Sequence, residues 1–203
     1  MNFMSLKTMN ISGHAYFVTS KVINQLPIFV FDKFCQIIIS NLDFYRNQFR
    51  TKILGYVIMP DHIHLILWPQ VKYTVSDFLR NFKEYTAKEI IKTLKYYREA
   101  LAPRPELALY LTRAGLGTCP SRREILISFY KAAKNIERQT FKLWQSRNWI
   151  ENIYSEKFLA QKLNYIHNNP VRAKMVKEAK DYPYSSFQNY YQDNDSLIKI
   201  DKI

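Results

Sequence analysis

The chain has 203 residues, 47% of them hydrophobic, which suits one domain with a sizeable core and excludes an intrinsically disordered segment. Thirty Lys and Arg against 17 Asp and Glu give a formal charge of +13, and a basic folded domain favours a polyanionic partner because each phosphate contact releases condensed counterions. Two cysteines exclude a disulfide framework, and apolar runs such as Ile63–Trp68 fall far short of the ~20 residues that cross a bilayer. Residues 1–20 show no export-signal pattern, so the expectation is a cytoplasmic protein without a membrane partner.

In chain order, His14 to Lys21 alternates β-branched and aromatic residues and predicts a strand. Phe29 to Phe49 carries apolar residues at helical spacing. Lys52 to Met59 and His62 to Trp68 are β-rich and separated by the turn signal Pro60-Asp61, which predicts an antiparallel hairpin. Ser76 to Lys95 reads as an amphipathic helix with Arg80, Lys83, Lys88, Lys92 and Lys95 on its polar side. Strand, helix, hairpin and helix begin a ferredoxin-like α+β sandwich, an antiparallel sheet with helices packed on it. The expected last strand is Thr140 to Trp149. Between them, residues 97–121 hold three prolines and two glycines around the apolar patch LALYL and read as an insertion rather than a core element. Arg122 to Gln139 predicts a helix. A further helix runs from Glu156 to Asn169, with Ser155 as N-cap and Pro170 as its stop. The domain is expected to span residues 10–191, and residues 192–203 to form a loosely held polar tail.

His62 and His64 lie one residue apart on a predicted strand, so their imidazoles share a face while Ile63, Leu65 and Leu67 point to the other. Two adjacent imidazoles can hold a divalent cation, and they can equally be partly buried histidines bonded to neighbours. On the Glu156–Asn169 helix, Tyr165 and Asn169 stand four residues apart on one face. A tyrosine beside a metal can act as a nucleophile on a phosphodiester, and the Asn169 oxygen can serve as a third ligand. His167 lies about 200° round the helix from Tyr165 and points elsewhere. Tyr154, Tyr182 and Tyr184 are rival nucleophiles by residue type. Arg172 and Lys174 after the helix, with Lys142 and Arg147 before it, are candidates for holding a DNA backbone.

The stretch GYVIMPDHIHLILWP (Gly55 to Pro69) resembles the signature of HUH single-strand transposases. KLNYIHNNPVRAKMV (Lys162 to Val176), DYPYSSFQNY (Asp181 to Tyr190) and LWQSRNW (Leu143 to Trp149) resemble the REP-associated tyrosine transposase branch. The resemblance covers roughly residues 10–96 and 121–191, and the 97–121 segment falls outside it. It implies a ferredoxin-like fold with a catalytic C-terminal helix, cleaving single-stranded DNA near a hairpin with Mg²⁺ or Mn²⁺. His62 and His64 would be metal ligands with Asn169 as a third, and Tyr165 the nucleophile forming a 5′-phosphotyrosine bond. A 3′-hydroxyl would leave and strands could be rejoined by transesterification. The 97–121 segment, outside the resemblance, is a candidate DNA-binding or dimer-forming addition, and a homodimer is one expectation. Two other readings stay open: a non-catalytic binder of hairpin DNA or RNA, and a phosphodiesterase that activates water.

Overall fold

The structure is a computed structural model describing residues 13–70, 72–96, 119–134, 136–137, 139–195 and 197–202, together with 101, 103, 104, 107 and 111. Four strands form one antiparallel sheet: β1 (Ala15–Lys21), β2 (Thr51–Ile58), β3 (His62–Pro69) and β4 (Trp149–Ile153), in the order β2-β3-β1-β4. The expected α+β sandwich is therefore present. Helices α1 (Asp32–Gln48) and α2 (Val75–Tyr96) pack on each other over one face of the sheet. They are followed by α3 (Arg122–Ala133), α4 (Glu156–Arg172) and the short α5 (Phe187–Tyr191).

Alternation assigns the two sheet faces. Ile63, Leu65 and Leu67 are fully buried, and Ser20 reaches α2 through Asn148, whose Oδ1 accepts from both Ser20 Oγ (2.9 Å) and Lys83 Nζ (2.9 Å). Their neighbours Thr19, His62 and His64 point to the opposite face, where α4 lies. A one-residue irregularity between Ile53 and Gly55 leaves Leu54 unpaired in the ladder, and the Tyr190 hydroxyl donates to its carbonyl (2.8 Å). α4 packs directly over Gly55. A Cβ there would stand 2.8 Å from both Ile166 Cδ1 and Leu163 Cδ2.

Four expectations are corrected. The last strand is Trp149–Ile153, not Thr140–Trp149. The strong apolar signal of Leu143 and Trp144 belongs to packing, for both are buried and Trp144 Nε1 donates to Thr86 Oγ1 on α2 (3.0 Å). The true strand, WIENI, is a half-exposed edge whose polar residues hide its alternation. Pro170 does not stop α4, which continues to Arg172. A proline so near the end forfeits one backbone hydrogen bond rather than a ladder of them. Within 97–121, the described residues Leu107 and Leu111 are buried in the core, and Arg104 N–H donates to Val30 O (2.8 Å). Residues 97–100, 102, 105, 106, 108–110 and 112–118, with most of the LALYL patch, lie outside the described residues.

The tail is not loose either. Ile198 and Ile200 are buried, Asp201 N–H donates to Ile53 O, and Ile53 N–H donates to the Asp201 carboxylate, both at 2.9 Å. Further along β2, Ile58 N–H donates to Tyr184 O and Ser186 N–H donates to Tyr56 O. These straps occupy the outer edge of β2, which would otherwise offer unpaired backbone groups to another chain.

Candidate active site

The antiparallel register of β1 and β3 sets Thr19 opposite His64 and Lys21 opposite His62. The two imidazoles stand with ring centroids 4.8 Å apart at 78°. Each has one nitrogen engaged by a neighbour. His62 Nδ1 donates to the Asp61 carboxylate at 2.6 Å, and His64 Nδ1 is hydrogen-bonded to Thr19 Oγ1 at 2.7 Å. Phe17, two residues along β1, stacks on His64 at 5.3 Å. His64 is only 5% exposed, and burial, reinforced by the charges of His62, Lys21 and Lys162, lowers its pKa to about 3. It is therefore neutral at physiological pH, the form able to ligate a metal.

Helix α4 delivers the phenol. The Ser155 hydroxyl accepts from Phe158 N–H (3.2 Å) and caps its start, as expected. Ile166, fully buried, packs over Gly55 and anchors its middle. The neighbouring Tyr165 ring lies 5.4 Å from His64 and 5.8 Å from Phe17, edge-on to both, and is 36% exposed. Arg172, two turns later, sets its guanidinium 5.3 Å from the Tyr165 ring centre. Lys162 lies 4.6 Å above Phe17 and pairs with Glu151 on β4 at 2.6 Å. The tyrosine and both histidines thus meet on one sheet face, although a hundred residues separate them in the chain.

Asn169 is half-buried one turn beyond Tyr165, and its buried Nδ2 has no hydrogen-bond partner. Arg172 and Lys174 are exposed at the end of α4, Lys174 with positive φ. Lys142 and Arg147 lie before β4, on the segment that packs against α2. Lys142 Nζ donates to Ser146 Oγ at 2.8 Å, and Arg147 is exposed. His167 faces away from the site, as its helical phase requires. It is buried among Phe187, Tyr190 and Tyr191 and hydrogen-bonds with Ser186 Oγ at 2.9 Å.

Of the rival tyrosines, Tyr182 is buried and donates to Ile58 O (2.6 Å), and Tyr184 donates to Asp32. Tyr154 is exposed and stacks on Phe158 at 4.9 Å. No motif in the sequence marks Thr19, Asp61 or Phe17 as site residues. Asp61 reads there as a turn residue, and only the strand register brings Thr19 to His64. Among the described residues, no group of three or more His, Cys, Asp or Glu side chains could hold a metal.

A four-stranded antiparallel sheet carrying a tyrosine helix over a histidine pair is an α+β sandwich of the kind the motifs imply. The family model described as "Transposase IS200 like" matches residues 17–107. A Haemophilus influenzae protein, "Putative REP-associated tyrosine transposase", is 45% identical over 56 residues, covering 26% of this chain and 32% of its own. The chain thus aligns with about a third of the length of that curated relative. The solved structure of a REP-associated tyrosine transposase bound to a REP hairpin superposes with a TM-score of 0.57 at 19% identity, covering 89% of this chain and 80% of that one. At that identity the superposition speaks to the fold. On these matches the chain is similar to the IS200-like transposases over residues 17–107 and, over a shorter stretch, to a REP-associated tyrosine transposase.

Proposed function

We propose that this protein is an HUH-type transposase or nickase that cleaves single-stranded DNA near a hairpin, with Tyr165 as nucleophile. The observation that carries the reading is the 5.4 Å approach of the Tyr165 ring to His64, itself 4.8 Å from His62. The solved relative bound to a REP hairpin supports hairpin DNA as the ligand here, and the +13 charge agrees with it.

The residues present fit a divalent ion, Mg²⁺ or Mn²⁺. Asp61 holds His62 Nδ1 as a donor, which leaves Nε2 with its lone pair, and Thr19 can do the same for His64. The orphaned amide of Asn169 marks a buried polar group in want of a partner. A half-turn of that amide exchanges its oxygen and nitrogen and offers an acceptor. His62, His64 and Asn169 would hold the ion with positions left open, and when bound it would neutralise charge building on the scissile phosphate.

The chain's own groups supply the rest. The phenol oxygen of Tyr165 forms a bond to phosphorus as the bond to the 3′-oxygen breaks. The phenolic proton is lost and the leaving oxygen becomes a 3′-hydroxyl. The 5′-phosphotyrosine conserves the phosphodiester, so the reverse attack rejoins strands without a nucleotide cofactor. Phe17 and Arg172 hold the ring in place, and preorganisation of this kind carries much of the catalysis expected for such a transfer.

The test is a hairpin oligonucleotide with a single-stranded extension, incubated with Mn²⁺ and resolved by denaturing gel. A covalent adduct absent from Tyr165→Phe supports the reading. Cleavage that survives Tyr165→Phe assigns the nucleophile to water, and tight binding without cleavage leaves a DNA-binding protein. In His62→Ala/His64→Ala, adduct formation should vanish while hairpin affinity persists.

A further inference from the structure

The face of the molecule away from Tyr165 carries a groove of about 760 Å³ between α2 and residues 139–146. Among the described residues, five lysines line it: Lys83, Lys88, Lys92 and Lys95 from α2, and Lys142 from the opposite wall. The one carboxylate among its described lining residues, Glu84, is spent on Lys88 at 2.6 Å. Lys88, Lys92 and Lys95 recur at helical spacing and form an exposed row about 10 Å long at 1.5 Å rise per residue. Four successive phosphates of one DNA strand span a similar length, three steps of about 3.4 Å. Lys95 lies 4.3 Å above the Phe141 ring, and Tyr96 is 73% exposed at the mouth, an aromatic surface on which a base can stack.

Two further observations connect this groove to the candidate site. Lys83 donates to Gln145 O (2.7 Å) and to Asn148 Oδ1, and Asn148 holds Ser20, the neighbour of Thr19. Thr19 in turn lies opposite Trp149 on β4, the outermost strand on that side, and Trp149 is 67% exposed. A strand leaving the groove over the β4 edge therefore meets an exposed indole before it reaches His64. Burial and the nearby Lys142 lower Lys83 to a pKa of about 8, consistent with like charges gathered without enough carboxylate to balance them.

We propose that the lysine-walled groove between α2 and residues 139–146 is a second DNA-backbone site, anchoring the substrate on the face opposite its cleavage. The inference rests on the DNA-cleaving function proposed above and adds where the rest of the substrate is held. The groove positions and does not read sequence, because its charged groups contact phosphate.

The test is Lys88→Gln/Lys92→Gln/Lys95→Gln in the full chain, three exposed side chains whose loss leaves the core intact, with an unchanged melting curve as the folding control. Binding is followed by fluorescence anisotropy over a salt series, using a hairpin, an unpaired strand and the two joined. Affinity should fall about 10–100-fold, and the slope of log affinity against log salt should weaken by about 2–3. Adduct yield at saturating DNA should be unchanged. The probe that loses most affinity identifies whether duplex or unpaired DNA occupies the groove. Unchanged affinity and slope, with Tyr165 still forming its adduct, would overturn the groove and leave the cleavage site standing. Failure of the unaltered protein to bind any of the three probes would remove both.

Discussion

Thr19 Oγ1 and His64 Nδ1 are hydrogen-bonded at 2.7 Å across the β1–β3 ladder, in a buried position that fixes the imidazole's rotation. If His64 is a ligand, Thr19 decides which nitrogen it presents. Thr19→Val keeps the shape and removes the acceptor, so Mn²⁺ affinity measured by calorimetry should drop about 10–100-fold. Thr19→Ser should restore most of it. Equal affinity in Thr19→Val and the unaltered protein would end this role.

Acid should weaken the metal-free protein. Burial holds His64 down to about 3 and His167 down to about 4, against an ordinary value of 6.5. Between pH 6.5 and about 4 the unfolded chain therefore binds more protons than the folded one. Stability from these groups is complete above pH 6.5 and declines as the pH falls through that window, by on the order of a few kcal/mol for the pair. Urea unfolding at stepped pH checks this. His167→Gln should flatten the profile, and an equally steep one would show that the burial of His167 is not its source.

Gly55 sets how closely α4 approaches the sheet. A methyl group at that position crowds the tips of Ile166 and Leu163, which can rotate aside, and stands 3.4 Å from Ser186 Oγ. Gly55→Ala should cost about 1 kcal/mol or somewhat more, with little loss of adduct. Gly55→Phe cannot be accommodated in this way and should lift the helix, lowering adduct yield at least tenfold in whatever fraction remains folded. Full activity in Gly55→Phe would mean that Tyr165 reaches its target without this close packing.

Asp201 straps the β2 edge. Its carboxylate accepts from Ile53 N–H and pairs with Arg46. Asp201→Ala leaves the Ile53 amide without that acceptor and should destabilise the protein by about 1–3 kcal/mol, seen as a lower urea midpoint. Light scattering should reveal faster aggregation through the uncovered edge, while adduct formation per folded molecule stays the same.

Much of this protein could be read without coordinates. Alternation placed β1, β2 and β3, helical spacing placed α1, α2 and α4, and period two put His62 and His64 on one face. These are local properties that neighbouring residues settle among themselves. Harder to read were features whose signal comes from distant partners. The WIENI strand lacks its own alternation and exists because β1 offers an edge. Leu143 and Trp144 resemble a strand because α2 buries them. The C-terminal residues look like a polar tail until Ile198 and Ile200 find the core and Asp201 finds Ile53.

The sequence by itself determined the basic charge, the α+β class and the pairing of the imidazoles. Only the tertiary structure decided that Tyr165, rather than Tyr154, Tyr182 or Tyr184, stands beside them, that Thr19 and Asp61 orient them, and that five lysines gather on the opposite face. The reason is one of range. Periodicity and charge are written residue by residue, whereas the meeting of α4 with β3 depends on a glycine's missing side chain and on a sheet register that no short stretch of sequence contains.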